Sequence, residues 1–245
     1  KTYVMGILNV TPDSFYDGGK FFSEQKAVER VKEMIKEGAD IIDIGGQSTR
    51  PGSSLVTTEE ELARVIPVIE RVKEKVSIPI SIDTSNPIVA EEALKKGASI
   101  VNDITALNGD PRMAGIVAKY NAGIILIHMK GTPQTMQDNP VYEDVINEIF
   151  EYLKRSINKA ISAGINPDAI IIDPGIGFGK TVEHNLLIVN RLKEFKELKK
   201  PILIGVSRKS FIGKVLKRDA ENRIFGTAAA CALAVANGAE IIRVH

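Results

Sequence analysis

Asp173-Pro174-Gly175-Ile176-Gly177-Phe178-Gly179-Lys180 follows the apolar run Ala169-Ile170-Ile171-Ile172, and its reading decides how the rest of the chain is read. A short, wholly apolar run that ends in turn residues is the pattern of a strand buried on both faces. A carboxylate therefore stands at the C-terminal end of a strand, and a loop with three glycines, one aromatic ring and one lysine follows it. Glycine lets the backbone bend sharply and approach a ligand closely. Taken alone, the stretch also fits an ordinary strand-to-helix turn. Two nucleotide-loop readings fail on it. Pro174 stands where the phosphate-binding loop needs its first glycine, and Lys180 where the dinucleotide fingerprint needs its third.

Working outward, the same unit recurs along the whole chain. Apolar runs predict strands over residues 3–9, 40–45, 79–83, 99–103, 123–128, 201–206 and 240–245, besides the one ending at Asp173. Helical periodicity predicts helices over 23–36, 58–75, 87–96, 110–120, 142–163, 182–198 and 220–236. Ser23 is the expected N-cap of the first, and Thr58 with Glu61 has the capping-box spacing for the second. Gly38-Ala39-Asp40-Ile41-Ile42, Gly97-Ala98-Ser99-Ile100-Val101 and Gly238-Ala239-Glu240-Ile241-Ile242 share one form, a helix stopped by glycine with a strand directly after. Wholly apolar strands indicate a parallel sheet covered on both faces. Eight such units in a chain of this size predict an α/β fold of the (β/α)8 TIM-barrel type, one domain over 1–245, with a doubly wound open sheet as the competitor. The chain opens on Lys1, not methionine, and stops at His245 directly after the eighth strand. The expectation is that the last helix is missing and that the sequence is cut short.

Composition narrows the function classes. Of 245 residues, 44% are hydrophobic and 26% charged, which suits one globular domain with a sizeable core. Lys and Arg total 32 against 31 Asp and Glu, a net charge of +1, so no electrostatic footprint for nucleic acid is present. No apolar run reaches the length of about 18 residues that a membrane span needs, and no signal peptide is seen. The single cysteine, Cys231, cannot form an intrachain disulfide, which fits a reducing, cytoplasmic setting. With three histidines and one cysteine a structural zinc site is not expected.

In such barrels the active site lies at the C-terminal ends of the strands. Those positions carry Asn9, the 45–50 turn, Asp83, Asn102, His128, Asp173, Ser207 with Arg208 and Lys209, and Arg243 with His245. Asp83, Asn102, Asp173 and Lys209 mix acceptors and donors as a flat polar heterocycle would require. Asn9, Arg50, Arg208, Arg243 and His245 suit an anionic group. Together they point to a heterocycle bearing a phosphate or diphosphate. The loops after strands one and two exceed the usual two to six residues, which favours a lid or binding role, although Gly- and Pro-rich surface loops read the same way.

The segments Asn9-Val10-Thr11-Pro12-Asp13-Ser14-Phe15, Gly45-Gly46-Gln47-Ser48-Thr49-Arg50-Pro51-Gly52, 173–180, Ser207-Arg208-Lys209-Ser210-Phe211-Ile212-Gly213 and Arg243-Val244-His245 closely resemble dihydropteroate synthases, in order and from the first strand to the last residue. Tyr16 stands where many members carry Ser, and Gln47 where many carry Glu. The resemblance implies condensation of 6-hydroxymethyl-7,8-dihydropterin diphosphate with 4-aminobenzoate, a step of folate synthesis and the target of sulfonamides. It puts the pterin on Asp83, Asn102, Asp173 and Lys209. The diphosphate falls on Asn9 (through Mg2+), Arg50, Arg243 and His245, and the aminobenzoate on Thr49, Pro51, Phe178 and Ser210. Phe15 and Asp17 of the first loop would help close the site. It also implies a homodimer. Asp83, Asp173, Lys209 and Asp17 are the expected catalytic groups, acting in an SN1-like loss of diphosphate. The competing readings are a pterin-binding methyltransferase that serves a corrinoid protein and a non-catalytic pterin-binding protein.

Overall fold

Strands that are apolar on both faces need cover on both, and the chain provides it by closing its sheet on itself. A computed structural model describes residues 1–10, 20–47 and 56–245, with 20–23 described by backbone alone. The elements run β1 (Tyr3–Asn9), α1 (Lys20–Lys36), β2 (Ile41–Gly45), α2 (Thr58–Lys75), β3 (Ile80–Asp83), α3 (Pro87–Lys95), β4 (Ile100–Asp103), α4 (Arg112–Lys119) and β5 (Gly123–Ile127). They continue with α5 (Val145–Ser162), β6 (Ile170–Asp173), α6 (Val182–Asn190), β7 (Leu203–Ile204), α7 (Ser210–Leu216), α8 (Ile224–Ala236) and β8 (Ile241–Val244). The strand order is β6-β5-β4-β3-β2-β1-β8-β7, and every pairing is parallel. A bridge between Ile172 and Ile202 joins the two outer strands of that order. The result is the (β/α)8 barrel, and the open doubly wound sheet is excluded.

The strands' two faces feed two separate cores. Met5, Ile41, Ile125, Ile127, Leu203 and Ile241 meet inside the barrel, with Ile100 and Ile171 packed against them. The alternate residues, among them Ile42, Ile44, Ile80, Ile82, Val101, Ile124, Leu126, Ile172 and Ile204, pack outward against the helices. Because side chains two apart share a face, Asp43, Asn102, Asp173 and Arg243 stand one layer above Ile41, Ile100, Ile171 and Ile241. The polar mouth is thus the next storey of the inner core.

Four expectations are corrected locally. The first helix begins at Lys20, so Ser23 lies inside it and does not cap it. The cap of α2 is Thr57, whose side chain accepts from the Glu60 amide, while the Thr58 hydroxyl accepts from Asn86 Nδ2 at 2.8 Å. The helix expected over 182–198 breaks after Asn190 into a 3₁₀ turn, Leu192–Leu198. Asn237 Nδ2 donates to the Val189 carbonyl at 2.8 Å and so supplies a partner from another element at the break. The seventh strand shrinks to two residues, and just before it the Ile202 N–H donates to the Glu240 carboxylate at 2.8 Å.

No helix among the described residues is long and apolar enough to cross a membrane. One helix is only partly covered. Apart from Thr227, α8 is built of apolar residues, a composition usually buried all round, yet Phe225 is 86% exposed. Val215, Leu216, Ile224 and Leu233 are exposed as well. Inside the barrel the opposite holds, and Ile125 is fully buried. Ile125→Ala should therefore lower unfolding free energy by about 2–5 kcal/mol; urea denaturation measures it, and a loss below 1 kcal/mol would mean the inner core can collapse around the gap.

Candidate active site

The mouth is organised by one guanidinium. Arg243 on β8 donates from Nε to Asp43 Oδ2 at 2.6 Å and from Nη2 to Asp83 Oδ2 at 2.6 Å. Asp43 is fully buried, and its Oδ2 also accepts from Asn102 Nδ2 at 3.0 Å. Asp43 Oδ1 and Asn102 Oδ1 are left without hydrogen-bond partners. Buried oxygens with no partner are costly unless a ligand meets them. Burial raises the Asp83 carboxyl to about 7, with Asp43 adding to the rise and Arg243 opposing it. Burial works against the Arg243 charge too, but the carboxylates of Asp43, Asp83 and Asp173 outweigh it and hold the group above its ordinary value.

Across the mouth, Asp173 ends β6 and accepts from the Gly175 amide at 2.7 Å. Burial raises its pKa, while Lys209 pulls the other way. Lys209, just before α7, donates to the Ile176 carbonyl and lies 4.5 Å over the Phe178 ring. Burial lowers its ammonium to about 8 against the pull of Asp173. Among the described residues, three carboxylates (Asp43, Asp83, Asp173) thus face the cations Arg243 and Lys209.

The 173–180 loop explains its glycines. Gly175, Gly177 and Gly179 take φ of 72°, 81° and 67°, a region that side chains beyond glycine avoid. A Cβ on Gly175 would overlap the His128 carbonyl, and one on Gly179 the Lys130 carbonyl. Gln137 Nε2 donates to the Gly177 carbonyl at 2.7 Å and Tyr142 Oη to the Gly179 carbonyl at 2.8 Å. The loop after β6 is thereby fastened to the segment after β5.

Of the residues expected from sequence, Asp83, Asn102, Asp173, Lys209, Phe178 and Arg243 stand together at this mouth. Asn9 is half-buried at the end of β1. His245 is exposed, with Nδ1 2.9 Å from Ser207 Oγ, and Ser210 is exposed at the start of α7. Arg208 is exposed and held by its backbone, its N–H donating to Thr227 Oγ1 at 3.0 Å. Phe15, Asp17, Thr49, Arg50 and Pro51 lie outside the described residues. Sequence reading missed Asp43, although an ionisable residue in the middle of an apolar strand was a signal that something inside the barrel pairs with it. It missed Glu61 as well. This carboxylate of α2 is buried beside Gly46, with Oε1 unpartnered and its pKa pushed up by burial. No group of three His, Cys, Asp or Glu gathers as a metal centre among the described residues.

Residues 5–245 match the family model described as pterin binding enzyme. A dihydropteroate synthase of Synechocystis sp. is 50% identical over 246 residues, covering 100% of this chain and 85% of that protein. The crystal structure of the Yersinia pestis dihydropteroate synthase with a sulfonamide drug superposes with a TM-score of 0.94 at 40% identity, covering 100% of this chain and 88% of the other. The Xanthomonas albilineans dihydropteroate synthase in complex with 7,8-dihydropteroate gives 0.90 at 41% identity, covering 100% and 88%. A pterin-binding barrel is the class that fold and site define. Within it, the chain belongs to the dihydropteroate synthase family, and so to the transferases.

Gly175→Ala tests how much the loop depends on its conformation. Positive φ alone costs a side chain about 1–3 kcal/mol, and the overlap with His128 adds to this. Chemical denaturation should show a loss above that range, and a loss below 1 kcal/mol would mean the loop re-forms elsewhere.

Proposed function

We infer that the chain condenses 6-hydroxymethyl-7,8-dihydropterin diphosphate with 4-aminobenzoate to give 7,8-dihydropteroate and diphosphate. The observation that carries this reading is the set of buried, under-satisfied polar groups one layer above the inner apolar core. Asp83, Asp173 and the unpartnered Asn102 Oδ1 offer acceptors to the amino and ring N–H groups of a pterin, and Lys209 offers a donor. Relatives holding 7,8-dihydropteroate and a sulfonamide support the same pair of substrates.

Diphosphate would meet Asn9, the Arg243 N–H groups not spent on Asp43 and Asp83, and His245, with Arg50 joining from outside the described residues. Asn9 presents one neutral oxygen at the rim. That donor set fits Mg2+, which keeps most of its shell in water and substrate phosphate and takes few protein oxygens. When bound, the ion would neutralise charge on the leaving diphosphate. Phe178 and Ser210 would receive the aminobenzoate, with Thr49, Pro51 and Phe15 completing that side.

An arylamine is neutral and nucleophilic near pH 7, so no strong base is needed. The barrier lies in breaking the carbon–oxygen bond to diphosphate. The residues are consistent with an SN1-like path, because a pterin cation would be stabilised by Asp83 and Asp173 in a low-dielectric mouth. Arg243 and His245 would take up the negative charge that leaves, and Asp17 would approach once the first loop closes. The chain would work in the cytoplasm as a homodimer, with the exposed apolar face of α7 and α8 as the contact between copies.

Incubation with the pterin diphosphate, 4-aminobenzoate and Mg2+ should yield dihydropteroate and free diphosphate, and absence of product rejects the reading. Asp83 must be ionised and Lys209 protonated, so kcat/KM for the pterin should rise to about pH 7 and fall above about 8. A flat profile from pH 6 to 9 would remove both groups from the step. Lys209→Ala should weaken pterin binding roughly 10- to 100-fold, the worth of a hydrogen bond from a charged group, as read by calorimetric titration.

A further inference from the structure

Lys180 takes no part in the chemistry above, yet it is among the most deeply buried charged residues of the described chain, 3% exposed. It forms no ion pair among the described residues. Its Nζ lies 2.9 Å from His128 Nδ1, 3.0 Å from the Phe178 carbonyl and 3.4 Å from the His128 carbonyl. These partners belong to only two places, the end of β5 and the peptide of Phe178. His128 is itself buried and fixed, its ring edge-on to Tyr152 with centroids 4.7 Å apart. A flexible amine has therefore been placed so that its polar contacts join the aromatic residue of one loop to the frame of the neighbouring strand. Lysine is rarely buried without a carboxylate, because desolvating the group is costly. The same desolvation lowers both Lys180 and His128 well below their ordinary values.

We propose that Lys180 is a positioning residue for the second substrate: by tying the Phe178 peptide to His128, it holds the Phe178 ring where the arylamine is received. The proposal rests on the reading that Phe178 lines the aminobenzoate site. Of the pterin groups, Asp83 and Asn102 sit on β3 and β4, away from this tie; Asp173 and Lys209 border the same loop, but Asp173 is held by the end of β6 and the Gly175 amide, and Lys209 by the Ile176 carbonyl, none of which bonds to Lys180. Loss of Lys180 should therefore impair the use of 4-aminobenzoate far more than that of the pterin.

Lys180→Met removes every donor at nearly constant volume, and Lys180→Gln restores part of them. The test compares both with the unaltered protein in steady-state kinetics and in hydrogen exchange of the Phe178 amide, which donates to the Gly175 carbonyl at 3.1 Å. In K180M the KM for 4-aminobenzoate should rise roughly 10-fold or more, since small misplacement of a positioning surface carries penalties of that order. The KM for pterin diphosphate should stay within about twofold, Phe178 exchange should quicken, and K180Q should recover part of both effects. An unchanged KM for 4-aminobenzoate overturns the proposal whatever the exchange does, and so does an equal rise in both KM values. If K180M does not fold, His128→Asn, which keeps an acceptor for the amine, is set against His128→Leu, which removes it. A higher 4-aminobenzoate KM in H128L alone supports the proposal, and equal values overturn it. Unaltered protein that makes no dihydropteroate would sink the functional reading and this proposal together, whereas active protein with an indifferent K180M sinks only this one.

Discussion

The described side chains at the mouth of this barrel are organised around one largely buried guanidinium shared between two carboxylates. Arg243 cannot leave Asp43 and Asp83 without stranding charge in a dry interior, and removing one partner of a buried pair typically costs about 3–5 kcal/mol. Asp43 is spent on holding Arg243 and Asn102, which fixes both in place. Asp83 serves Arg243 with one oxygen. The guanidinium has N–H groups beyond these two bonds. One ion-pair network therefore fixes the relative positions of β2, β3, β4 and β8 side chains at the mouth.

The second organising device is the fastening of two loops. Strand ends place a carboxylate with little freedom, whereas a ring on a loop drifts unless the loop is held. Here the 173–180 segment turns through three left-handed glycines against the carbonyls that follow β5, and side chains of Gln137, Tyr142 and Lys180 take its carbonyls as acceptors. Lys209 closes the arrangement from the next strand by lying over the Phe178 ring. The aromatic surface is thus held from β5 and β7 as well as from its own strand.

Much of this was legible from residue order. Eight apolar runs with polar ends point to a parallel sheet covered on both faces, their number favours closure into a barrel, and the strand-end residues Asn102, Asp173 and Arg243 follow from parity with the apolar residue two before each, whereas Asp83 follows Ser81. Partnership was not legible. Nothing near Asp43 in the chain shows that Arg243 will meet it, and nothing near Lys180 shows that His128 will. Thr58 looked like a cap because its spacing to Glu61 is right, but Asn86 takes its hydroxyl and Glu61 is drawn into the interior beside Gly46. The helix after Thr181 broke for the same reason, a bond from Asn237 to Val189 that no local pattern announces. Local rules see periodicity and miss contacts made by distant chain.

Pairing of β8 with β1 has a consequence for how the molecule comes into being. Tyr3, Val4, Met5 and Gly6 match Ile241, Ile242, Arg243 and Val244 in register, and the Arg243–Asp43 bond spans 200 residues. Closing so long a loop is entropically unfavourable and is compensated only when the last strand docks. In the folded barrel Arg243 stands between Asp43 and Asp83, whose charges repel each other. The arrangement of charges at the mouth is therefore complete only when the last strand has joined the first, and so long-range a pairing is of the kind that slows folding.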